Sequence, residues 1–146
     1  MRKPRVLIFD DNIAIIRTLE DFFKLKGYEV FSYTEPITCP LYERGAESCD
    51  KSLGCADIVI TDLHMPRMTG AELLRRQKER GCRLGAENKI IMSAYMAGTY
   101  EEMIKELGCS FFYKPSLMSA LPDWLKEREK HFVLSEPLDV LESVRA

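Results

Sequence analysis

A doubly wound α/β fold, with five parallel strands in the order 2-1-3-4-5, is what this 146-residue sequence predicts. Two observations carry that expectation. Short apolar runs rich in β-branched residues alternate with helical patterns along the whole chain. The same runs end on chemistry, with Asp10-Asp11, Asp62, Ser93 and Lys114 standing at successive strand ends. Open α/β sheets place their ligands at that edge.

The elements follow in order. Val6 to Phe9 is a buried strand that ends in Asp10-Asp11. From Ile13 to Lys26, Ile13, Ile16, Leu19 and Phe23 keep a helical period, and Gly27 stops it. Tyr28 to Tyr33 reads as the second strand. Residues 34 to 55 hold Pro36, Pro40, Gly45, Gly54 and three cysteines, and a short helix near Leu41 to Glu47 is expected there. Ile58-Val59-Ile60 has the length and branching of a strand buried on both faces, and it runs into Asp62. Pro66 and Gly70 punctuate the loop before a helix from about Ala71 to Arg80, stopped at Gly81. Lys89 to Ser93 is a fourth strand, Thr99 to Leu107 a helix stopped at Gly108, and Ser110 to Tyr113 a fifth strand. After Lys114-Pro115, a last helix is expected from Ser119 to Lys130, amphipathic through Leu121, Trp124 and Leu125.

Composition narrows the classes. Lys plus Arg (21) nearly balance Asp plus Glu (23), which gives no electrostatic case for direct nucleic-acid binding. The apolar runs are too short for a membrane span, and Val6-Leu7-Ile8-Phe9 is too short for the core of a signal peptide. A cytoplasmic protein is therefore expected, and its five cysteines should be reduced thiols.

In a 2-1-3-4-5 sheet, strands 1 and 3 are neighbours, which brings Asp10, Asp11 and Asp62 together. Three converging carboxylates repel and raise a pKa unless a cation joins them. Oxygen ligands around an open position suit Mg²⁺. Ser93 and Lys114 beside them fit the oxygens of a phosphoryl group, and Asp62 is the central candidate nucleophile.

The chain resembles a receiver domain of two-component response regulators over about residues 5 to 130. The matching pieces are Asp10-Asp11, Asp62 followed by Met65-Pro66 and Met68-Thr69-Gly70, Ser93-Ala94, and Lys114-Pro115. The resemblance implies a flavodoxin-like fold, with Asp62 as phosphoacceptor and Mg²⁺ held by Asp11, Asp62, the backbone carbonyl of His64 and, through water, Asp10. It implies that Ser93 and Lys114 contact the phosphoryl oxygens and that Phe111 is the switch aromatic. His64 and Tyr95, each two residues past a site residue, would set the phosphoryl lifetime. The phosphodonor would be a sensor histidine kinase or a phosphotransfer protein, and the output a downstream protein. Such a domain is not an enzyme with a separate substrate; it assists its own phosphorylation and dephosphorylation. With no output domain after residue 130, a stand-alone receiver is expected.

Other readings stand beside this one. Asp10-Asp11 also suits a helix N-cap. The run Arg75 to Arg80 suits a solvated helix face. An aspartate-nucleophile phosphotransfer enzyme usually places a second acid where this chain has His64. A receiver-like interaction or cysteine-based metal or redox module, never phosphorylated, is the remaining alternative. Residues 131 to 146 form a tail whose Phe132, Val133, Leu134, Leu138, Val140, Leu141 and Val144 are too apolar to stay solvated, so packing on the domain or in a homodimer is expected. Cys49, Cys55 and Cys82 should lie together at the end opposite Asp62, with Cys39 nearer the carboxylates and Cys109 two strands away. There they form either plain packing or a thiol site.

Overall fold

Strands β1 (Arg5–Phe9), β2 (Glu29–Tyr33), β3 (Ile58–Asp62), β4 (Lys89–Ser93) and β5 (Ser110–Tyr113) form one parallel sheet in the order β2-β1-β3-β4-β5. The computed structural model describes every residue except 37, 38, 40, 41, 43–47, 50–52, 96, 97 and 142–146. The short helix expected near residues 41 to 47 falls outside the described residues, Tyr42 aside.

Four α-helices are present among the described residues: α1 (Ile13–Leu25), α2 (Gly70–Glu79), α3 (Glu101–Leu107) and α4 (Lys114–Glu129). The central strands are buried along their whole length, as a parallel sheet covered on both faces requires. Because side chains alternate along a strand, the sheet feeds two cores. Val6, Ile8, Ile58, Ile60, Ile90 and Met92 pack with Leu19 and Phe23 of α1 and with Leu121 and Leu125 of α4. On the other face, Leu7, Phe9 and Val59 pack with Leu73 of α2, Tyr42 and Leu141, while Ile91 and Phe111 meet Leu74, Ile104 and Leu107 of α2 and α3.

The clearest differences from the sequence expectation are two helix starts and one cap. Helix α4 begins at Lys114, five residues before Ser119. Pro115 looks like a breaker in sequence, yet it falls in the first helical turn, where its missing N–H has no intrahelical acceptor to lose. Residues Gly98–Tyr100 form a 3₁₀ turn that leads into α3 at Glu101. The N-cap of α1 is Asn12, whose side chain accepts from the N–H groups of Ala14 and Ile15 at 3.0 and 3.4 Å. Asp10 and Asp11 are thereby spared that duty.

The tail runs back across the amino-terminal edge of the sheet. The Arg2 guanidinium forks onto Asp57 at 2.7 and 2.9 Å, and its Nε donates to the Glu136 carbonyl at 2.6 Å. Asp139 N–H donates to the Gly54 carbonyl at 2.9 Å, and the Asp139 carboxylate accepts from Leu53 N–H at 3.1 Å. Leu141 is buried against Tyr42, Cys39 and Cys55. No helix among the described residues is long and apolar enough to cross a membrane.

Candidate functional site

The register of β1 against β3, with Phe9 opposite Thr61, sets Asp10, just past β1, beside Asp62, the last residue of β3. Both are buried, whereas Asp11 is exposed. One carboxylate oxygen from each of Asp10, Asp11 and Asp62 lies within 4.8 Å of the other two. Among the described residues this is the one cluster of three or more His, Cys, Asp or Glu side chains so arranged.

Lys114 enters from the junction of β5 and α4. Its Nζ sits 2.9 Å from Asp10 Oδ2 and 3.4 Å from Asp62 Oδ1. The backbone N–H of Asn12 donates to Asp10 Oδ1 at 2.8 Å, so Asp10 is held on both oxygens. Burial pushes the Asp10 carboxyl above its ordinary range, against the pull of Asn12 and Lys114. Burial also raises Asp62, and the charge on Asp10 raises it further. Burial would lower Lys114, but Asp10 and Asp62 hold it above its usual value. Three carboxylates against one ammonium leave two negative charges, a deficit that matches a divalent cation with oxygen preference.

Local chemistry fixes Asp62 in place. Thr69 caps α2 by accepting from Glu72 N–H at 3.1 Å. Gly70 then starts the helix directly against the strand end, its N–H donating to the Leu63 carbonyl at 2.8 Å. A Cβ at Gly70 would collide with the Asp62 carbonyl oxygen and crowd Thr61 Cγ2 at 3.1 Å, so only glycine permits this approach.

The response regulator receiver domain family matches residues 6–126. The chain belongs to that family. The receiver is 29% identical over 131 residues to sporulation initiation phosphotransferase F of Bacillus subtilis, covering 87% of this chain and 94% of that relative. Its fold is shared with a CheY-like receiver domain protein of Methanospirillum hungatei, at 24% identity and TM-score 0.62, over 90% of this chain and 100% of that one. It is shared also with the response regulator TrrA of Thermotoga maritima, solved in complex with Mg²⁺ and BeF, at 21% identity and TM-score 0.63, over 86% and 98% of the two chains. The receiver is thus a phosphoacceptor signalling domain of the two-component type, a class that takes phosphoryl groups from histidine kinases or phosphotransfer proteins.

The other residues singled out in the sequence are placed as follows. Ser93 is fully buried at the end of β4, and its Oγ accepts from Tyr95 N–H at 3.1 Å. In the receiver's β5, Phe111 packs toward α3 with Ile104 and Leu107, whereas Phe112 faces α4 and meets Trp124 edge-on at 6.4 Å. His64 and Tyr95 are exposed, and their rings meet at 6.5 Å. Tyr100 completes the group, 6.4 Å from His64. Sequence reasoning missed Tyr100, which lies beyond the loop and carries no motif.

Cysteines 49, 55 and 82 line one cavity, and Cys39, expected nearer the carboxylates, lines it too, because its sulfur is drawn to the buried Gln77 amide. No disulfide joins any of the five cysteines, and no three thiols among the described residues form a metal-sized cluster. Gln77, in the middle of the basic run of α2, is buried and not solvated; it turns inward to Lys89 and Cys39.

Proposed function

We propose that the Asp62 carboxylate accepts a phosphoryl group from a phosphohistidine of a sensor kinase or phosphotransfer protein. The observation that carries this reading is Lys114 spanning Asp10 and Asp62 inside a three-carboxylate cluster. An Asp62 oxygen attacks phosphorus in line, the O–P bond forms as the P–N bond breaks, and the imidazole leaves with a proton from solvent. Asp11, Asp62, the His64 backbone carbonyl and, through water, Asp10 would hold Mg²⁺. Bound there, Mg²⁺ supplies the positive charge that lets a polyanion approach these carboxylates.

Phosphorylation adds about two negative charges and three acceptor oxygens to Asp62. Lys114 then has a stronger partner than Asp10, and the Ser93 hydroxyl gains an acceptor to donate to. Drawing β4 and β5 loops inward shifts a pre-existing equilibrium, with Phe111 repacking against α3. The surface of α3, β5 and α4 is re-presented to a downstream protein. The domain works in the cytoplasm, contacts no nucleic acid itself, and modifies no substrate but its own Asp62.

Titration of the whole chain with Mg²⁺, then with beryllofluoride, tests this. Saturable Mg²⁺ binding should weaken strongly in Asp11→Asn, and beryllofluoride should bind only with Mg²⁺ present and only when Asp62 is intact. Beryllofluoride binding that survives Asp62→Asn would reject the assignment.

A further inference from the structure

Lys89 opens β4 on the amino-terminal edge of the sheet, 2% exposed. Its Nζ donates to Gln77 Oε1 at 2.8 Å and to Cys82 Sγ at 3.3 Å. The other end of the same amide, Gln77 Nε2, donates to Cys39 Sγ at 3.4 Å. One buried lysine and one glutamine thus hold two sulfur atoms from segments more than forty residues apart. Cys39, Cys49, Cys55 and Cys82 all line a cavity of about 30 Å³ that Gln77 of α2 and Leu84 also line. Each of the four thiols is partly exposed. A space of that size admits a molecule no larger than one or two waters.

We infer that Cys82 is a peroxide-reactive thiol, activated by Lys89 and resolved by Cys39, so that the domain carries a redox-sensitive staple apart from its carboxylate site. The attacking species in peroxide reduction is a thiolate, and an ammonium donating to sulfur stabilises that negative charge. In the first step Cys82 sulfur displaces hydroxide from hydrogen peroxide. The S–O bond forms, the O–O bond breaks, sulfur loses two electrons, and the thiol proton leaves with the departing oxygen as water. In the second step the Cys39 thiol attacks the sulfenic acid. The S–S bond forms, the S–O bond breaks, and the oxygen leaves as a second water with the Cys39 proton.

A metal ion is the poorer occupant. The ammonium that favours a thiolate repels a cation at the same sulfur, and no three thiols gather closely enough to share one. Cys109 supplies an internal control. Burial pushes its thiol up to about 11, and its sulfur lies 3.9 Å from the Ile104 carbonyl oxygen, away from the cavity. It should be inert.

The staple would tie the stretch after β2 to the turn after α2. The amino-terminal end of that helix is the one seated on Asp62 through Gly70. The chemistry itself does not depend on phosphorylation, so the two proposals stand or fall separately.

The whole chain, reduced and freed of reductant, is treated with hydrogen peroxide, and its thiols are mapped by mass spectrometry with and without dimedone. Two of five thiols should be lost and a peptide joining Cys39 to Cys82 should appear. Cys39→Ser should leave a dimedone adduct on Cys82, and Cys82→Ser should leave the other four thiols reduced. Lys89→Met should slow Cys82 oxidation about tenfold, with Lys89→Arg restoring part of the rate. In the unaltered protein, Cys82 should outpace Cys109 by about tenfold or more, a comparison that needs no variant to fold. Five intact thiols, equal rates at Cys82 and Cys109, or a bridge from Cys82 to Cys49 or Cys55 would overturn the inference.

Discussion

Each end of the sheet holds a lysine, half-buried at one end and buried at the other, and the two keep opposite company. At the carboxyl end, Lys114 faces Asp10 and Asp62, full negative charges that outnumber it. At the amino end, Lys89 faces an amide oxygen and a thiol, neither of which carries a full charge in its neutral form. The first lysine is a counter-ion whose partners repel each other without it. The second is a cation placed where negative charge can be created. The same residue type therefore serves charge neutralisation at one end and, by our inference, thiol activation at the other.

The largest effect expected from breaking this comparison comes from the tail, whose hydrogen bonds among the described residues lie at the amino end. Removing residues 131–146 strips Leu141 from the core around Tyr42 and Cys55 and frees the bonds on Arg2, Arg5 and Gly54. It should cost about 4 kcal/mol by chemical denaturation. Mg²⁺ binding at the folded carboxylate end should be unchanged.

Next comes the same substitution at both lysines. Lys114→Met leaves two buried carboxylates without their ammonium and should cost about 3 kcal/mol in metal-free protein, a loss that Mg²⁺ partly recovers. Lys89→Met exchanges a buried cation for an apolar chain of similar length and should fall within about 1 kcal/mol of wild type. Equal costs at the two sites would erase the distinction between them.

Much of the carboxylate end could be read without coordinates. Buried strands four or five residues long leave little freedom in register, so the residues at the end of each one are placed by the sheet itself. Asp10 and Asp62 meet because β1 and β3 are neighbours, and Ser93 ends β4, the next strand over. Lys114 was legible as a strand-end residue, but its place in the first turn of α4 was not, because Pro115 looks the same after a helix as inside its first turn. The amino end resisted for another reason. Lys89 as the first residue of a strand carries no mark of burial, and Gln77 sits among charges that suit solvent. Asp139 meets Leu53 and Gly54 across more than eighty residues, a contact that no local period announces.

A smaller effect is a pH dependence confined to the carboxylate end. Asp62 has its folded pKa raised above the ordinary 3.8 by burial and by Asp10. Its protonation thus favours the folded state: the contribution is complete below 3.8 and lost as pH rises through the raised value. Asp62→Asn lacks that loss, so without metal it should be more stable than wild type at pH 7. The gain should shrink as pH falls and vanish below the ordinary carboxylate range. Thermal melts of both proteins across pH 3 to 8 measure it, with Mg²⁺ reducing the gap at neutral pH.

The smallest effect expected is kinetic. Tyr95 is 71% exposed and meets edge-on the ring of His64, two residues past Asp62. By limiting the path of an in-line water, it should lengthen the life of a phosphoryl group. Tyr95→Ala should speed loss of label about threefold, roughly 0.7 kcal/mol in the barrier, with folding unaffected. An unchanged decay would remove Tyr95 from the account.

The central claim, that the charge-paired end accepts a phosphoryl group, is tested most directly by phosphotransfer from a small donor. Whole chain, Asp62→Asn and Cys82→Ser are incubated with phosphoramidate and Mg²⁺, and the modified residue is located by mass spectrometry. The account predicts a single acid-stable, base-labile phosphoryl group on Asp62 in wild type and Cys82→Ser, lost on chelation of Mg²⁺ before mixing and absent from Asp62→Asn. Equal labelling of Asp62→Asn, or a wild-type protein that takes no label with Mg²⁺ and donor in excess, would contradict it.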